Sequence, residues 1–141
     1  MNGTGRVRKV RNGLPHLAEV DVTVTLRDEH TQVEVVCSGT GWSAQGYIEE
    51  ASPVGYDAWK AGAREGALFA LRAVGLTGAV VVVTRIAGMT TDTNPSIVGL
   101  AAASAVWDAL GARPPANAVE RIEAIAFASW SNEPDRIPTY D

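Results

Sequence analysis

AVVVVTRIAGMTTDTNPSIVGLAAASAVWDAL, residues 79–110, is the stretch on which the fold turns. Its opening run, Val80 to Val83, is β-branched at every position. A strand with no polar alternation is expected to be at least partly covered on both faces, at the centre of a sheet or under helices. Gly88 to Thr93 then reads as a polar loop. Asn94 is a good helix cap, and Pro95 stands at the first helical position, where a missing N–H costs nothing. From Ile97 to Leu110 the only charge is Asp108. A helix so apolar all round is expected to be buried on more than one side. Gly111 stops it, and Pro114-Pro115 prevents its continuation.

Working towards the N-terminus, Tyr56 to Val74 is predicted to be helical. Trp59, Ala63, Gly66, Ala70 and Val74 share a stripe, with Asp57, Lys60, Arg64 and Arg72 opposite. Gly75 is placed to end this helix. Gly62, Gly66 and Ala70 would let it approach a neighbour closely, which offsets the roughly 1 kcal/mol each glycine costs a helix. Leu17 to Arg27 alternates, with Val20, Val22, Val24 and Leu26 on one face and Glu19, Asp21, Thr23, Thr25 and Arg27 on the other. After a turn at Asp28 to Thr31, Gln32 to Ser38 is expected to return as the second strand of an antiparallel hairpin. The glycine-rich loop Gly39–Gly46 leads to a short third strand, Tyr47 to Glu50. Beyond the long apolar helix, Arg121 to Trp130 fits a strand or a short helix. Strand is preferred because Ile125 and Phe127 would fill its second face. Residues 1–14 read as a flexible basic arm and 132–141 as a C-terminal tail, around a single domain.

Hydrophobic residues make up 46% of the 141 residues and charged residues 20%, ordinary for one globular domain. No apolar run reaches the roughly 20 residues of a membrane span. Met1 to Asn12 has no apolar segment of a secretory signal. One cysteine, Cys37, excludes an intramolecular disulfide and suits a cytoplasmic setting. His16 and His30 are too far from it to complete a zinc ligand set, so no metal is expected. Arg6, Arg8, Lys9 and Arg11 give the first 16 residues a charge of +4, and taking this from the net −4 leaves −8 on the rest. A basic arm suits nucleic acid or an acidic partner, whereas the acidic body opposes general RNA binding.

Three stretches, in this order and spacing, resemble domain IV of bacterial elongation factor G. Lys60 to Thr77 (KAGAREGALFALRAVGLT) is similar to the family's helix that runs into a glycine-marked turn. Gly78 to Ile86 resembles its next strand. Thr91-Asp92-Thr93-Asn94-Pro95-Ser96, followed by Ala101 to Ala105, lies over the family's HDVDSS segment and the alanine-rich helix after it. The resemblance implies an α+β, two-layer sandwich: a mostly antiparallel sheet with two helices on one face. It also implies a left-handed β-α-β crossover, against a rule obeyed about 98% of the time. In that family two tip loops reach the ribosomal decoding centre. One would correspond here to the four-residue turn Asp28 to Thr31, and in the other Thr91 stands where the family has histidine. With no GTPase domain in these residues, translocation is not what the resemblance implies.

The residues with candidate chemistry are few. Thr90, Thr91, Asp92, Thr93 and Asn94 precede a helix N-terminus, which suits an anion, although Asp92 and Asn94 are also natural caps for it. Trp42 lies in the glycine-rich loop as a potential interface anchor. Ser43 has no nucleophile-elbow surroundings, and the loop lacks the lysine of a phosphate-binding loop. Cys37 alternates with Val33 and Val35 and reads as a small buried hydrophobe. No triad or acid–base pair can be assembled. The reading that follows is a non-catalytic binding or accessory module, without a cofactor, for a protein partner or a second copy of itself. Two alternatives stand beside it: a small enzyme with a pocket around Asp92 and Glu34, on the sheet face or at a subunit interface, and a ribosome- or RNA-associated protein using the basic arm.

Overall fold

The computed structural model describes residues 1–11, 13–28, 30–42, 48–128 and 136–140. Along the chain the elements are β1 (Asn2–Arg11), β2 (Leu14–Leu26), β3 (Gln32–Val35), β4 (Glu49–Glu50), α1 (Asp57–Ala73), β5 (Ala79–Gly88), α2 (Pro95–Leu110) and α3 (Ala116–Ala128). The strands form one open sheet in the order β1-β2-β5-β3, with β4 pairing the far end of β5. All pairings are antiparallel except β3 with β5. The fold is α+β, a mostly antiparallel sheet with a helical layer against it.

Alternation decides which face meets the helices. Val20, Val22 and Val24 of β2 are buried, while Glu19, Asp21, Thr23 and Thr25 face the open side. β5 would break this pattern without the bulge between Asp21 and Val22 of β2, where the pairing passes from Arg85 to Val83. The extra residue, Thr84, resets the phase of the strand. Val81 and Val83 before it and Ile86 after it are all buried, and Arg85 emerges on the open face.

The two long helices begin and end as the sequence indicates. The Asn94 side chain accepts the Ile97 N–H at 2.9 Å, and Gly111 closes α2 in the left-handed conformation (φ 61°). Every residue from Pro95 to Ala103 is buried, because α2 has β1 and β2 beneath it, α1 beside it and α3 against it. α1 meets α2 backbone to backbone: a Cβ on Gly66 would stand 2.0 Å from the Gly99 carbonyl oxygen. Trp107 Nε1 ties the pair by donating to the Ala70 carbonyl at 3.0 Å.

Four expectations are corrected. Residues 2–11 of the supposed flexible arm are edge strand β1, with Gly3, Gly5 and Val7 turned inward. A Cβ on Gly5 would lie 1.8 Å from the Ala101 carbonyl oxygen, so glycine there lets α2 lie directly on the strand. Gln32–Val35 does not form a hairpin with β2; it lies parallel to β5, because β2 has β1 and β5 on its two sides. Residues 116–128 form helix α3 rather than a strand, burying Ile122 and Ala126 one turn apart, so there are three helices rather than two among the described residues. Within the supposed tail, Tyr140 is buried at 1% exposure and donates to the Ser96 carbonyl at 2.9 Å.

Candidate functional site

A cleft opens where β4, the start of α1 and the β5–α2 loop converge. Its volume is about 600 Å3, and its walls are Glu49, Tyr56, Asp57, Ala58, Trp59, Thr90 and Thr93. β4 brings Glu49 there by pairing it with Gly88, at the end of β5. Glu49 is only 6% exposed. Both its carboxylate oxygens receive the same donor, the Thr90 hydroxyl, at 2.8 and 2.7 Å. No cationic side chain pairs with it among the described residues. A carboxylate taken out of water normally has a cation or several donors to replace its hydration. Among the described residues Glu49 has one hydroxyl.

Part of the lining is aromatic, from Tyr56 and Trp59. Tyr56 lies at the N-terminal boundary of α1 with φ 59° and ψ 31°, the sole non-glycine residue in the left-handed region among those described. That conformation is costly for a side chain with a Cβ and marks functional positions more often than chance. It sets the Tyr56 ring 5.0 Å from that of Trp59. Burial, followed by the charge of Glu49, pushes the Tyr56 hydroxyl above its ordinary pKa, so it remains a neutral donor. Asp57, in the first turn of α1, complements the helix N-terminus and adds a second acid to the lining.

The β5–α2 loop is divided between two hollows. Thr90 and Thr93 face the cleft. Thr93 Oγ1 also accepts the Met89 N–H at 2.8 Å and donates to the Leu17 carbonyl, which locks the loop onto β2. Asp92 lines a second hollow of about 280 Å3, with Arg8, Lys9, Pro15 and His16 among its other walls. Thr91 is exposed beside it and donates to Asp92 at 3.1 Å. Asn94 is spent as the cap; its Nδ2 is buried without a hydrogen-bond partner among the described residues. Trp42 is 68% exposed and does not line the cleft, although a Cβ on its neighbour Gly41 would lie 3.7 Å from the Tyr56 hydroxyl oxygen. Ser43 lies outside the described residues. Glu34 is exposed on β3 and lines neither hollow.

The basic residues of β1 are largely engaged within the fold. Arg6 pairs with Glu19 at 2.9 Å on the open sheet face, where Arg85 bridges Glu19 at 2.7 Å and Glu50 at 2.9 Å. Lys9 and Arg11 lie over the Phe127 ring of α3, at 5.8 and 4.9 Å from its centre. His16 meets the edge of the same ring at 5.1 Å. Burial, chiefly, holds the His16 pKa below its ordinary value. Cys37 is buried, which pushes its thiol pKa up and leaves it a core residue. A further hollow of about 760 Å3, at Arg27, Asp28, His30, Thr77 and Gly78, is lined by residues none of which is buried.

Glu49 was not singled out in the sequence. It stands in a two-residue strand beside Glu50, and nothing in the pair Glu49-Glu50 signals which acid is buried. No group of three metal-ligating side chains is present among the described residues, and no helix among them is long and apolar enough to cross a membrane.

The sequence matches no protein-family model and no curated protein. In solved structures, the chain is similar to a protein from Thermus thermophilus. The TM-score is 0.58 at 16% identity, over 74% of this chain and 14% of that one. At that identity the likeness is one of fold alone, and this chain corresponds to a small part of the other protein's length.

Proposed function

We propose that the protein is a binding module, without chemistry of its own, that holds its ligand in the cleft between Glu49 and the Tyr56–Trp59 pair. One observation carries this reading: a nearly buried carboxylate lines an open cleft and has no cation to balance it among the described residues. Structural carboxylates in this protein are treated otherwise. Glu19 is held by Arg6 and Arg85, and Glu50 by Arg85. A polar group left short of partners in a concave, partly aromatic site is what a ligand completes. The lining has no nucleophile paired with a base, which favours holding a ligand over transforming it. The resemblance of residues 60–105 to domain IV of elongation factor G fits an accessory module built on a fold whose relatives work through the loops at one end of the sheet.

The test is a fragment screen on the 15N-labelled full chain. Ligands are expected to move the amide signals of Tyr56, Trp59, Thr90 and Thr93 and to be recovered chemically unchanged. Responses confined to the open sheet face or to the Arg8–His16 hollow, or conversion of a bound fragment, would overturn the proposal.

A further inference from the structure

Resting on that reading of the cleft, we infer that its ligand is an organic ammonium, with the charged nitrogen at Glu49 and the adjoining carbons against Tyr56 and Trp59. The charge of the cleft sets the sign. Its ionisable lining is Glu49, Asp57 and the neutral Tyr56, with no lysine, arginine or histidine. An anion would therefore meet two carboxylates and no countercharge. A cation at Glu49 supplies what the buried carboxylate lacks among the described residues, where the Thr90 hydroxyl contacts both oxygens but leaves most of their lone pairs unused.

The kind of cation follows from the other walls. A divalent metal needs about six oxygen ligands in the calcium or magnesium range, and the described residues provide no cluster of three ligating side chains anywhere. Aromatic rings, by contrast, favour a cation whose charge is spread over an ammonium and its attached methylenes. The left-handed backbone at Tyr56 accompanies a ring 5.0 Å from that of Trp59, and both rings line the same cleft as Glu49. The ligand class is thus an amine-bearing small molecule, or the amine of a flexible side chain.

The experiment titrates the 15N-labelled full chain with n-butylammonium chloride, its neutral counterpart 1-butanol, and calcium chloride. The ammonium is expected to shift Tyr56, Trp59 and Thr90 saturably, with about tenfold preference over the alcohol. Glu49→Gln is expected to erase that preference. Should the variant lose its dispersed spectrum, the ammonium-against-alcohol ratio on the unaltered chain decides. Equal affinity for the two, or calcium acting at lower concentration than the ammonium, overturns the inference while leaving a binding cleft. A cleft that responds to none of these or of the broader fragments overturns both.

Discussion

At Glu49 and Glu19, two carboxylates of similar intrinsic acidity meet opposite local conditions. Among the described residues Glu49 is buried against one hydroxyl and no cation, and replacing such a buried charge by an isosteric neutral group removes a desolvation penalty. Glu49→Gln keeps an oxygen for Thr90 and is expected to stabilise the protein by about 1 kcal/mol in urea unfolding. A loss of stability would mean that the charge is balanced within the fold. Glu19 is held below the ordinary carboxylate range by its hydrogen bonds to Arg6 and then Arg85. Its folded pKa is depressed, so its contribution is present above the unfolded pKa and lost as pH falls through the folded value. His16 has the same sign at higher pH. Burial lowers its pKa from the ordinary value of 6.5, so the unfolded chain takes up the proton first and stability declines as pH drops below that value. Urea midpoints measured above and below that ordinary value should differ for the natural protein and converge in His16→Phe. Persistence of the difference in that variant would assign it to other groups.

Between elements, the contact with least tolerance is that of α1 with α2. Gly66 faces the Gly99 backbone and Gly62 faces the Pro95 carbonyl, so these positions set the distance between the helices. Gly66→Ala gains about 1 kcal/mol of helix propensity, yet it must move a backbone oxygen that no rotamer change can displace. Overpacking is expected to win, with a net loss of about 2 kcal/mol on chemical denaturation; a stabilised variant would show that the helices separate freely. This element was legible in sequence because glycines at helical spacing are costly unless packing requires them. The caps of α2 were legible as well, since Asn94, Pro95 and Gly111 each have a strong local preference. β1 was not, because its inward residues include Gly3 and Gly5, which contribute nothing to a hydrophobic alternation. Nor was the partner of β3 legible: alternation says which way side chains point, not which neighbouring strand they lie beside. In α3 the alanines fit a period of two as well as 3.6, and only the pair Ile122 and Ala126, four apart, marks the helix. The candidate site was half legible. Thr90 and Thr93 were visible as a polar loop before a capped helix, whereas Glu49 becomes informative only once its burial is known.

Across the whole molecule, both ends of the described chain converge on α2. β1 lies under it, with the Thr4 N–H donating to the Asp108 carboxylate at 2.9 Å. That bond closes part of an edge strand that would otherwise offer free backbone groups to another chain. At the other end of α2, Tyr140 fits over Gly99, packs with its ring tilted 59° to that of Phe69 of α1 at 5.7 Å between centres, and donates to the Ser96 carbonyl. Burial pushes the Tyr140 hydroxyl pKa far above its ordinary value, so it acts as a donor across the usable pH range. A residue wedged between two helices this far from them in sequence should act on global stability rather than on local fraying. Tyr140→Ala removes the ring and is expected to cost about 4 kcal/mol, as large aromatic deletions in cores do. Tyr140→Phe keeps the ring and loses one hydrogen bond, at about 1 kcal/mol. Urea unfolding followed by both circular dichroism and tryptophan fluorescence checks the pair. Coincident curves shifted to lower urea, with the alanine variant shifted furthest, are expected if residues 136–140 belong to the same cooperative unit as α1 and α2. Curves unchanged from the natural protein would show that the segment rests on the helices without supporting them.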